Sequence, residues 1–130
     1  MSRITFATLI VTAVFGTVVL AQQPAAPIKR TPLQTVDVAG SPYQTVTGIA
    51  DIAANVNIGR HTHPGYETGY VLEAELTLLV EGKPPMPSKA GDSYQVPLNT
   101  VHDARSGDKG AKVLAVYIVE RGKPLAAPAP

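Results

Sequence analysis

The 130 residues contain no cysteine and no tryptophan, only two phenylalanines, and a charged fraction of just 16%. Without cysteine there is no disulfide framework, thiolate zinc site, iron–sulfur cluster or thiol nucleophile. Eleven basic residues against ten acidic ones give a formal charge of +1. That balance offers a polyanion almost nothing to hold, so the sequence predicts no nucleic-acid partner. The chain also lacks repeated long apolar runs, which excludes a multi-span membrane protein. Its 45% hydrophobic content is too high for a disordered chain. The length allows one domain. No phosphate-cradling glycine loop is present, and Asp108-Lys109-Gly110 reads as a solvated turn.

The one long uncharged run stands near the start. Arg3 precedes Ile4–Leu20, and Val19-Leu20-Ala21 supplies the small-residue ending of a secretory signal peptide over 1–21, cleaved after Ala21. The alternative is a retained anchor, since the run approaches the roughly 17–25 residues of a spanning helix. Threonines dilute the run and Ala21 suits a peptidase, so the expectation is an exported protein, periplasmic or secreted, with no stable membrane span after cleavage. No cysteine follows, which excludes a lipoprotein. Phe6 and Phe15 leave with this segment, and the remaining aromatics are Tyr43, Tyr66, Tyr70, Tyr94 and Tyr117.

Residues 22–32 form a proline-rich leader, 33–123 the domain, and 124–130 a flexible tail. Within the domain no helix-period pattern appears. Short β-branched or alternating runs are punctuated by Gly, Pro, Asn and Asp, and they predict strands at Leu33–Val38, Tyr43–Ile49, Ala53–Ile58, Thr68–Leu72, Glu75–Val80, Ser93–Val96, Val101–Arg105 and Val113–Glu120. This rhythm indicates an all-β sandwich or small barrel. The last run is apolar on both sides, as a central or interface strand would be, and a homodimer is expected.

The three histidines carry the functional signal. His61 and His63 are two apart, so an extended segment turns both imidazoles to one side. Glu67 follows the Pro64-Gly65 turn, and His102 stands after Pro97–Val101, where a turn delivers a new strand. Three imidazoles and one carboxylate suit one divalent transition metal, whether Fe, Mn, Ni, Co, Cu or Zn, and suit calcium poorly. With every histidine assigned in this way, no Ser/His/Asp arrangement is credible.

The segment Gly59–Glu75 resembles the first motif of the cupin superfamily, in which His-x-His is followed by Glu. The segment Gly91–His102 resembles the second, in which Gly, Pro and His recur at fixed spacing. The resemblance implies a single-domain jelly-roll barrel of about six to eight strands. It further implies one metal held by residues matching His61, His63, Glu67 and His102. Three positions depart from the usual pattern: Ala74 and Asn99 stand where glycine is common, and Ser106 where asparagine is frequent. A small backbone adjustment is expected at Ala74. Asparagine tolerates a left-handed turn, so the turn at Asn99 should survive.

Four protein ligands on a six-coordinate ion leave two positions for a substrate or a small co-reactant. Within the family this resembles dioxygenases, oxalate-type decarboxylases, lyases and isomerases. The expectation is an oxygenase-like enzyme acting on a small oxygen-bearing molecule, with Glu67 also serving as a proton acceptor. The alternative is a metal-dependent small-molecule binding or sensing module without catalysis. Tyr66, Tyr70 and Tyr94 lie near the motifs, where core or interface roles are expected before ligand orientation. Arg60 and Arg105 should point away from the metal by alternation.

Overall fold

The computed structural model describes residues 26–130, so the signal peptide expected over 1–21 lies outside the described residues. Eight strands follow in chain order: β1 (Ile28–Asp37), β2 (Tyr43–Ile52), β3 (His61–Thr62), β4 (Gly65–Val80), β5 (Met86–Lys89), β6 (Ser93–Val96), β7 (His102–Glu120) and β8 (Ala127–Pro128). They form one curled antiparallel sheet in the order β1-β2-β7-β3-β8, and β4 also pairs with β5, β6 and β7. No helix occurs among the described residues. The expected all-β jelly roll is the architecture observed.

Its spine is the pairing of β4 with β7, running from Gly65↔Val119 to Val80↔His102. Each of these strands was expected as two. The reason is a change of face within each strand. In β4, Gly65, Glu67, Gly69 and Val71 are buried, and then Leu76, Leu78 and Val80. The inward phase thus moves from odd to even numbers. The switch occurs where the register shifts around Val71/Glu73 and Ala74/Leu76, with Ala74 in a left-handed conformation at φ 58°. An irregularity that adds one residue to one strand has this effect on every side chain beyond it. In β7 the phase changes between Ser106 and Ala111, with Gly110 at φ 79°. The expected adjustment at Ala74 is therefore a left-handed residue, and Asn99 likewise stands at φ 52°.

The buried core is aliphatic, formed by Ile52, Val71, Leu76, Leu78, Val80, Val96 and Val113 with Ala104 and Ala111, and Met86 and Tyr94 pack against it. At about 1.5–3 kcal/mol per buried Leu or Val side chain, these residues supply the main drive to close the sheet.

Three expectations are corrected. Ala53–Ile58 is not a strand: Asn55 is left-handed at φ 58°, and only the isolated bridge Asn57↔Arg105 is formed. The segment is instead fastened to β7 by the Ser106 hydroxyl, which accepts from Val56 N at 3.0 Å and donates to the Ala53 carbonyl. The leader assigned to 22–32 gives up Ile28–Pro32 to β1. Pro32 is tolerated there because β1 is an edge strand with a bulge between Pro32 and Gln34. The tail assigned to 124–130 is fixed, since Ala127–Pro128 pair with His61–Thr62 and Ala129 N donates to the Arg60 carbonyl at 3.0 Å. Proline removes donors from such a segment but leaves its carbonyls as acceptors.

Candidate metal centre

Register brings the four expected residues together. His61 on β3 lies opposite His102, the first residue of β7. His63 stands at the corner before β4, where its carbonyl accepts from Asn99 N at 3.2 Å and so ties the two motif turns to each other. Glu67 falls on the inward phase of β4. His63, Glu67 and His102 are buried and His61 is half-buried, and one donor atom from each lies within 4.8 Å of the others.

The orientation of the rings is set by backbone carbonyls. His61 Nδ1 is 2.7 Å from the Gly59 oxygen, His63 Nδ1 is 2.6 Å from that of Leu125, and His102 Nδ1 is 2.9 Å from that of Thr100. A carbonyl only accepts, so each Nδ1 carries the proton; the inward Nε2 of each ring is then a lone pair when the ring is neutral, and at His102 it donates to Glu67 when the ring is charged. His63 Nε2 is buried with no hydrogen-bond partner. It lies 3.0 Å from Glu67 Oε2 without the alignment of a hydrogen bond, and His102 Nε2 lies 3.1 Å from the same oxygen. Three imidazole nitrogens and a carboxylate converging in a largely buried space could hold a metal ion. A divalent transition metal fits this donor set, and a backbone carbonyl on the far nitrogen of each ring is the partner that metal-binding histidines ordinarily have.

Without a metal, the cluster's charges compensate one another. Burial works to raise the Glu67 pKa, but the His102 and His63 rings outweigh it and hold the carboxyl at about 2. Burial lowers His61, reinforced by the neighbouring histidines and only partly offset by the bond to Gly59. Burial also acts to lower His102, but its bonds to Glu67 and Thr100 prevail and raise it.

The cluster opens into a cavity of about 760 Å³ walled largely by aliphatic side chains. Two phenols stand in it. Tyr94 Oη donates to Glu67 Oε1 at 3.1 Å, and the Tyr117 ring lies 4.8 Å from that of His63. Burial, with the Glu67 charge, raises both pKa values and keeps both groups protonated. Tyr94 packs against the core, as expected, and its hydroxyl also touches the site. Tyr66 and Tyr70 face outward and are exposed. Arg60, expected to point away, is exposed and held by Glu81 at 2.7 Å and by the Pro130 carbonyl, although it also contributes to the cavity rim. Arg105 is exposed. Sequence reasoning missed Tyr117, although it shares the odd-numbered inward phase of Val113 and Val119. Leu125 contributes only a backbone carbonyl, for which no sequence signal exists.

A cupin-domain family model matches residues 48–117. No curated protein matches the chain. Among solved structures it is similar to the DMSP lyase DddQ from Ruegeria pomeroyi, with TM-score 0.67 and 21% identity over 79% of this chain and 52% of the lyase. The chain therefore spans about half the length of that protein. It is also similar to KdgF from Halomonas sp., with TM-score 0.59 and 20% identity over 78% of this chain and 86% of KdgF. A third likeness is to a mutant of the Bacillus subtilis oxalate decarboxylase OxdC, with TM-score 0.59 and 14% identity over 65% and 23% of the two chains. Identities this low show the fold alone. The family model, however, covers more than half of the sequence and both motifs, and this chain belongs to the cupin superfamily.

Proposed function

We propose that this cupin is a metal-dependent enzyme acting on a small oxygen-bearing organic molecule, with His61, His63, Glu67 and His102 holding one divalent transition metal. The observation that carries the reading is the convergence of four donor atoms at the inner end of an apolar cavity, beside a phenol bonded to the Glu67 carboxylate. When bound, the ion supplies a Lewis acid that polarises a substrate oxygen. The chain's own residues supply the rest. The aliphatic walls exclude water, and Tyr94 Oη holds Glu67 in place. Tyr94 already directs its proton to Glu67, whereas Tyr117, kept protonated by burial, is suited to donate a hydrogen bond to an oxygen that gains negative charge.

A Glu67 carboxylate held by Tyr94 beside a hydrogen-bond donor at Tyr117 is suited to non-oxidative chemistry (elimination, isomerisation or decarboxylation), which we take ahead of the oxygenase reaction expected from the ligand set. The likeness to a lyase and to a decarboxylase is compatible with this. The test is a panel of small hydroxy- and oxo-acids assayed with zinc-loaded and iron-loaded protein, under air and under argon. Turnover with redox-inert zinc under argon supports the proposal. Turnover only with iron in air returns the oxygenase reading, and binding without turnover identifies the non-catalytic module.

Export and self-association belong to the same proposal. Export is supported by Arg3 and the uncharged run ending at Ala21, and recovery of the protein from the exported fraction starting at residue 22 tests it. A homodimer is supported by the exposed outer face where Tyr66 stands opposite Ile118. Sedimentation equilibrium giving a single chain mass would remove it.

A further inference from the structure

Arg30 stands on the edge strand β1, whose residues beyond Ile28 are exposed, Arg30 among them. Register places it opposite Ala50, which in turn lies opposite the buried Val113. Arg30 therefore belongs to the inner face, two residues beyond Ile28, which packs against the core. Its side chain contributes to the wall of the cavity that holds the histidine cluster. A guanidinium keeps its charge in any such setting, yet Arg30 has no ion-pair partner among the described residues.

The cavity supplies no partner of its own. Its single carboxylate is Glu67, already engaged by His102 and Tyr94. The other cationic side chain on the wall, Arg60, is bound to Glu81. The charge of Arg30 reaches the interior: at Tyr117 it works against the dominant effect of burial on the phenol. The cavity thus carries one planar cation without an ion-pair partner on a largely aliphatic wall, and a group of that kind is matched by a carboxylate through paired N–H···O bonds.

We propose that Arg30 is a specificity-determining residue that binds the carboxylate of a small organic acid, whose apolar part lies along the aliphatic walls of the cavity. The inference rests on the reading of the cavity as the substrate site, and it narrows the substrate class to monocarboxylates carrying a short apolar portion.

The experiment measures binding by calorimetry, on zinc-loaded and on metal-free protein, using pentanoate, its neutral analogue pentanamide, and butyl phosphate. Arg30→Gln, Arg30→Lys and Arg60→Gln variants are compared, with sheet content checked by circular dichroism. Pentanoate should bind at least about tenfold more tightly than pentanamide, as one charge-assisted pair requires. Arg30→Gln should abolish that preference, Arg30→Lys should retain part of it, and Arg60→Gln should leave it unchanged. Equal binding of pentanoate and pentanamide, or a preference that survives Arg30→Gln, overturns the proposal. Tighter binding of butyl phosphate than of pentanoate overturns the carboxylate assignment. Zinc uptake is scored separately. An Arg30-dependent preference without zinc uptake would sink the metal-enzyme reading alone, while zinc uptake without the preference would sink this inference alone.

Discussion

Deleting residues 124–130 should weaken metal binding without unfolding the domain. The Leu125 carbonyl accepts the Nδ1 proton of His63 at 2.6 Å, which fixes both the tautomer and the orientation of a buried ring. No other side chain or carbonyl of the described residues bonds that nitrogen. Loss of an outer-shell partner of this kind typically costs 10–100-fold in metal affinity, or about 1.4–2.7 kcal/mol. The tail itself is exposed and pairs with a two-residue strand, so its removal forfeits little apolar burial. The assay is a zinc competition titration against a chromogenic chelator at neutral pH, on the full and truncated chains, with urea unfolding of the metal-free forms as the fold control. Leu125→Ala retains the carbonyl and should bind zinc as the full chain does. A truncated chain that binds zinc within twofold of the full chain would refute the reasoning.

Three further outcomes are expected. Gly69 lies across from Tyr94, and a Cβ there would stand 2.1 Å from the tyrosine Cζ. Gly69→Ala should therefore displace the ring, cost about 1–3 kcal/mol, and change zinc affinity as Tyr94→Phe does; a crystal structure of the variant with the Tyr94–Glu67 bond intact would contradict this. Ala74→Gly should relieve the left-handed alanine and stabilise the domain by up to about 1 kcal/mol, a rise of a few degrees in Tm by calorimetry; an unchanged or lower Tm would count against strain at that position. In metal-free protein, the depressed Glu67 pKa gives stability that is present above its ordinary 4.5 and lost as pH falls through about 2. The raised His102 pKa gives stability that is full below its ordinary 6.5 and lost as pH rises through its folded value. Urea midpoints measured across pH should accordingly be highest between these limits, with both flanks flattened in Glu67→Gln; an equally curved profile in that variant would assign the effect elsewhere.

The site was more legible in the sequence than the strands that build it. His61 and His63 at a spacing of two, Glu67 after a Pro-Gly turn and His102 after the Pro97–Val101 turn are local patterns, and the fold brings all four together. The continuity of β4 and β7 was hidden because the inward phase changes near Ala74 and Gly110, so alternation shows each long strand as two short ones. β5 was missed because Met86-Pro87-Ser88-Lys89 carries a proline, which only an edge strand such as this one accommodates. Asn55 has the opposite effect: the run around it looks like a strand, but its left-handed backbone ends the ladder. The tail was read from composition as loose, yet its contribution lies in backbone carbonyls that any residue would offer. Arg30 was absorbed into the leader for the same compositional reason, and its place on the cavity wall follows only from the register of β1 with β2.

The central claim is that His61, His63, Glu67 and His102 hold a single metal ion. Elemental analysis of residues 22–130, purified untagged without chelators and again after reconstitution, tests it most directly. The expected result is about one equivalent of divalent transition metal per chain, since the four donors form one cluster. That equivalent should be lost in His102→Ala and Glu67→Gln and retained in the exposed-face variant Tyr70→Ala. No metal in either preparation, or metal retained in full by His102→Ala, would contradict the account.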